Sequence, residues 1–168
     1  MIAALDVHYS GTEAHAAALL FESWRSEEPI VDFGATESPV AEYHPGRLYM
    51  RELAPLLKVI SLIDRDVDTL VIDGYCHLSS DLTPGLGAHL HDALRRPVSI
   101  VGVAKNRYQR SKHAVEVLRA NSARPLFVTA IGIDYEVAGG HIQSMAGPYR
   151  IPTLLKAVDR LARDGSES

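Results

Sequence analysis

A single cysteine, Cys76, stands in the 168 residues, so no internal disulfide can form. That fits a reducing compartment, and the expectation is a cytoplasmic protein. No apolar run approaches the roughly 20 residues that a membrane-spanning helix needs. The start, MIAALDVHYSG, has no basic segment ahead of a long apolar one and does not read as a secretory signal. Aromatics are sparse at 7%, and the net charge is −4. The chain as a whole therefore does not attract polyanions. A nucleic-acid partner would have to be met by a local basic patch or through metal ions. Repeats and low-complexity segments are absent, no membrane or protein partner is implied, and residues 164–168 read as a disordered tail.

What remains is the composition of an ordinary globular domain, 46% hydrophobic and 23% charged, expected to be one unit over residues 1–163. Ile2–Tyr9 reads as a strand, and EAHAAALLFESW and PIVDFGATES as two more joined by the polar RSEEP. Helical periodicity follows over Arg47–Ile63, then a strand at Leu70–Ile72, a helix at Leu86–Leu94 and a strand in VSIVGVAK. Ser111–Ala120 reads as helical, PLFVTAIG as a strand, and Glu136–Met145 and Thr153–Ala162 as helices. Three antiparallel strands followed by strand–helix alternation imply an α/β fold: a mixed sheet, its later strands parallel, flanked by helices.

Three carboxylates sit where such a fold should be apolar. Asp6 interrupts IAALDVHY, and Asp73 ends the run LVID. Glu52 lies four residues from both Leu48 and Leu56, on the inward stripe of its helix. Each has a bland alternative: Asp73-Gly74 as a turn, Glu52 reaching solvent or pairing with Arg51 or Arg95. Together, however, three acids cannot stay ionised at one place without a cation. Hard oxygen ligands favour Mg²⁺, with Mn²⁺ able to substitute, and such ions serve phosphoryl chemistry. Lys105 also ends a strand, where it is either solvated or within reach of a phosphate.

The set LDVHY, YHPGRLYMRELAPLL, LVIDG, GLGAHL and VGVAK, in this order and with a late YRIP, resembles the endonuclease V family over about residues 2–162. That resemblance implies a ribonuclease H-like fold and a Mg²⁺-dependent endonuclease. Such an enzyme cuts DNA, or RNA, on the 3′ side of deaminated adenine (inosine), leaving 3′-hydroxyl and 5′-phosphate ends. It implies that Asp6, Glu52 and Asp73 hold one or two ions, about 4 Å apart if two, and that Lys105 is the active-site lysine. It also implies that Tyr43 wedges the strands apart on the rigid turn Pro45-Gly46, and that Gly74 brings backbone close to the extruded base. An aromatic or proline wedge offsets the stacking lost when a base is lifted out.

Departures from the family pattern leave questions open. After the DG the chain reads YCHLSSDLTPGLGAHL, without the family's His-Pro-Arg, in the loop that the resemblance assigns to lesion recognition. A zinc site at Cys76-His77 lacks a second ligand pair. Where the family places Gly-His, Gly132 is followed by Ile133 and Asp134. Asp134 is then either a helix N-cap or a fourth metal ligand, with His141 as a second candidate. The segment carrying Arg107, Arg110, Lys112 and Arg119 is either a phosphate-binding patch or a solvated helix face. Two other functions are carried alongside: a nuclease of the same chemistry triggered by flaps, mismatches or inosine in RNA, and a catalytically silent nucleic-acid-binding protein. Clustered negative charge beside phosphate argues against the latter.

Overall fold

A computed structural model describes residues 1–40, 42, 44, 45, 47 and 49–165. Strand β1 (Ile2–Ser10) turns back into β2 (Glu13–Phe21), and β3 (Val31–Glu37) follows on the outside. Helix α1 (Tyr49–Ser61) then crosses to β4 (Thr69–Asp73), and α2 (Leu86–Leu94) to β5 (Ser99–Ala104). The chain continues through β6 (Val115–Val117), β7 (Leu126–Ile131), α3 (Tyr135–Ser144) and α4 (Thr153–Asp164). The described strands form one sheet in the order β3-β2-β1-β4-β5-β7-β6. Its parallel block is β1, β4 and β5; β2 and β3 run antiparallel on one side, and β7 and β6 on the other.

Both faces of the sheet are buried, which is why β2 reads EAHAAALLF with little alternation. Ala17, Leu19 and Phe21 turn to one face with Val158 and Leu154 of α4 and Ile142 of α3. Ala16, Ala18 and Leu20 turn to the other, with Leu56, Val59 and Ile60 of α1 and Leu90 of α2. The sheet thus has two distinct edges. At the carboxyl edge β4 and β5 end; at the amino edge Ile2, Thr69 and Ser99 stand in register.

Two expectations change. The segment expected to be helical at Ser111–Ala120 contains the edge strand β6, because its side chains alternate with period two. Val117 and Arg119 are buried, while Glu116 and Leu118, which alternate with them, are exposed. The last long strand, β7, runs against β5 rather than with it, pairing Ile131 with Ile100 and Phe127 with Ala104. Its carboxyl end therefore lies at the amino edge.

Candidate active site at the carboxyl edge

β1 and β4 pair only as far as Leu5 and Ile72. Asp6 is the next residue of β1, and Asp73 the last of β4, so both stand where these two strands part. Chain order also reverses here, since β1 leads outward to β2 and β4 leads the other way to β5. Open α/β sheets bind ligands at such a switch point, beyond the carboxyl ends of their strands. Glu52 comes in from α1 on one face. Lys105, the residue after β5, donates from Nζ to Asp73 Oδ2 at 3.2 Å.

Two small cavities flank these acids. One, of about 30 Å³, lies on the α4 face between Asp6, Asp73, Lys105, Ile151, Pro152 and Leu155. The other, of about 10 Å³, lies on the α1 face between Asp6, Asp73, Glu52 and Leu86. Each is about the size of one water.

The electrostatics are those of carboxylates brought together short of positive charge. Burial, then the charge of Asp73, pushes Asp6 up to about 7, although the Val7 N–H bonds its Oδ1 at 2.8 Å. Burial again, then Asp73 and Asp6, raises Glu52 to about 7 against the pull of Arg51. Among the described residues, Asp73 alone of the three is in an ion pair. Burial works against the Lys105 ammonium. Asp73, Asp6 and Asp159 outweigh it and hold its pKa above the ordinary lysine value. Tyr9 on β1 has a buried hydroxyl with no partner among the described residues, and its ring carries the Arg51 guanidinium 4.4 Å from its centroid. Burial and the nearby Glu52 raise that phenol's pKa.

No group of three or more His, Cys, Asp or Glu side chains among the described residues is already disposed to hold a metal ion. The chemistry of the donors nonetheless suits one: three carboxylates of hard oxygen, two of them kept protonated up to about pH 7 by burial and by the charge of Asp73.

Gly74, which follows Asp73, has φ +132° and donates its N–H to Val103 O at 3.0 Å. Gly102 beside it must lack a side chain, because a Cβ there would meet Gly74 O at 2.6 Å. Pro45 stands in a turn closed by the Arg47 N–H on His44 O at 2.9 Å. Tyr43 and Gly46 lie outside the described residues.

A family model for endonuclease V matches residues 1–151. The chain belongs to the endonuclease V family. An endonuclease V from Geotalea uraniireducens is 29% identical over 182 aligned positions, covering 97% of this chain and 76% of that protein. One from Methanothrix thermoacetophila is 35% identical over 107 positions, 63% of this chain and 45% of that protein. Endonuclease V from Streptomyces avermitilis shares the fold with a TM-score of 0.82 at 23% identity, over 99% of this chain and 81% of that one. Endonuclease V from Ciona intestinalis, solved with a 24mer DNA containing an inosine followed by a ribo-adenosine, superposes with a TM-score of 0.83 at 17% identity. That match spans 99% of this chain and 85% of the other. The mixed sheet expected from the sequence is thus the endonuclease V fold.

Within this family fold the fourth-ligand candidates are not brought to the acids. Asp134 follows β7 at the amino edge, roughly 15–20 Å of strand away. Its Oδ1 accepts from the Glu136 N–H at 2.9 Å, so it caps α3. His141 stacks on Trp24, with centroids 4.7 Å apart and planes 5° from parallel. The carboxylate that does face the site is Asp159 of α4, whose charge bears on both Asp6 and Lys105. The signal that marked Glu52 marks it too: Asp159 is four residues from Leu155 and three from Ala162, on the buried stripe of its helix. The basic segment also divides. Arg107 pairs with Glu116, Arg119 is buried on main-chain carbonyls, and Arg110 and Lys112 are exposed. Cys76 is packed inside, its thiol pushed up to about 12 by burial, and His77 Nδ1 lies 2.6 Å from the Tyr135 hydroxyl.

Proposed function

We propose that this protein is a metal-dependent endonuclease that hydrolyses a phosphodiester bond on the 3′ side of inosine in DNA, with RNA as the alternative strand. The observation that carries the reading is the meeting of Asp6, Glu52 and Asp73 at the parting of β1 and β4, with Lys105 on Asp73. Membership of the endonuclease V family supports this reading.

Asp6, Glu52 and Asp73 would hold Mg²⁺, with Mn²⁺ as a substitute, and Asp159 would add negative charge from the α4 side. Bound there, such an ion supplies Lewis acidity and lowers the pKa of water. The protein's own residues do the rest. Without the ion, Asp6 and Glu52 each keep a proton up to about pH 7, so loading the site releases protons from them. Lys105 stays cationic and is placed to meet a phosphate oxygen once Asp73 is engaged elsewhere. Gly74, with no side chain of its own, leaves backbone open to a base turned out of the stack.

The test is cleavage of end-labelled strands carrying one inosine, as DNA and as RNA, with Mg²⁺, Mn²⁺ or EDTA. The reading requires a metal-dependent cut 3′ to inosine. Equal cutting of flaps or mismatches without inosine would replace the trigger while keeping the chemistry. Tight binding with no cut under any metal would establish the silent binding protein instead.

A further inference from the structure

We propose that Arg150 is a positioning residue for Lys105, acting through the main chain where β5 and β7 part. This rests on the nuclease reading above for its consequence, but its geometry stands alone. The last rung between these strands joins Ala104 to Phe127. Beyond it, the carbonyls of Lys105 and Pro125 are both acceptors and cannot bond each other. Arg150 supplies the missing donors. Its Nη2 donates to the carbonyls of both Lys105 and Pro125, the latter at 2.8 Å, and its Nε donates to Arg124 O at 2.9 Å. A planar guanidinium with several fixed N–H groups can hold such a set of carbonyls; a lysine ammonium, a point charge on a flexible stem, cannot reproduce the fork.

The next two residues, Ile151 and Pro152, line the cavity that contains Asp6, Asp73 and Lys105. Arg150 therefore ties the strand end that carries the amine to the opposite cavity wall. It fixes the stem from which Lys105 reaches Asp73.

Arg119 provides an internal control. It is buried and holds the same loop through the carbonyls of Met145 (2.6 Å), Gly147 (3.3 Å), Tyr149 (2.7 Å) and Arg150 (3.2 Å). None of those carbonyls belongs to a residue of the acid cluster. One arginine secures the loop, and the other joins it to the lysine.

The experiment compares Arg150→Ala, Arg150→Lys and Arg119→Ala in the full chain. The first readout is cleavage kinetics. The second is the rate at which an amine-acylating reagent labels Lys105, followed by peptide mass spectrometry and needing no activity. Arg150→Ala should lower kcat by roughly 30–100-fold, the scale of an ångström-sized misplacement, with KM changed by less than about 3-fold. Millimolar guanidinium should restore part of that loss, Arg150→Lys should restore little, and Lys105 should label several-fold faster. Arg119→Ala should lower Tm while leaving kcat and Lys105 labelling within about 3-fold of the parent. Equal kcat losses in both alanine variants, or unchanged Lys105 labelling in Arg150→Ala, would overturn the proposal. If Arg150→Ala does not fold, labelling and kinetics of Arg150→Lys decide by the same criteria. If the parent protein cuts nothing, the nuclease reading fails, and the labelling comparison still decides the role of Arg150.

Discussion

The two edges of the sheet carry the same kind of side chain in opposite states. At the amino edge Asp68 and Asp134 each have a donor of their own. Asp68 accepts from the Met1 amine at 3.0 Å and from the Thr69 hydroxyl, and these bonds hold its carboxyl below the usual range. Asp134 accepts from a helix N–H. At the carboxyl edge Asp6 and Glu52 are half-buried, face Asp73, and are pushed up to about 7. Partners stabilise the ionised form at one edge; burial and like charge oppose it at the other. An acid whose partners are inside the protein is structural, and an acid left short of them is open to something from outside.

The sharpest way to break this contrast is at Asp73, which acts on both of its neighbours. Asp73→Asn should reduce cleavage by on the order of 10²–10³-fold, as loss of a charge-bearing site group does, while circular dichroism and strand binding stay close to the parent. Wild-type turnover in that variant would dissociate the carboxyl edge from the chemistry.

The second difference is in how stability follows pH. The folded protein holds protons on Asp6 and Glu52 more tightly than the unfolded chain, whose carboxylates titrate near 4. Metal-free stability should therefore rise as pH falls from about 7 towards 4, and the cost should be fully present above 7. Asp68, with its lowered pKa, works the other way, losing its contribution as pH falls below the unfolded value. Neutralising the carboxyl edge with Asp6→Asn should stabilise the metal-free protein at pH 8 by on the order of 2 kcal/mol. Chemical denaturation at pH 8 and pH 5 checks this; a gain of equal size at both would mean that charge is not the cause.

A smaller contrast separates Asp159 from Asp134. Asp159→Asn should shift the metal concentration for half-maximal cleavage and leave Tm nearly unchanged. Asp134→Ala should do the reverse, with an unaltered metal requirement and a loss of about 1 kcal/mol from the uncapped helix. A metal titration beside a melting curve for each variant distinguishes them, and exchanged behaviour would place Asp134 in the site. The least effect belongs to Asp68→Asn at neutral pH, below about 1 kcal/mol for an exposed pair.

What was legible in the sequence was local. Two apolar runs carrying acids, and a helix with Glu52 on its inward stripe, need only the periods of strand and helix to be read, because burial imprints those periods on neighbouring residues. The bounds of α2, Leu86–Leu94, follow from the same pattern. Direction was not legible. Nothing within LFVTAI states that β7 runs against β5, and that single pairing carries Asp134 to the far edge. Val115 and Leu118, three apart, suit a helix stripe, whereas Val115 and Val117 suit a strand, and only the free edge of β7 decided for the strand. Arg119 and Arg150 look like surface charges in sequence; their carbonyl partners lie 25 or more residues away. Pairing across the sheet is a choice among distant segments, so the chain alone determined which apolar stripes would be buried, and the tertiary structure decided which of them would meet and which charged groups would be enclosed with them.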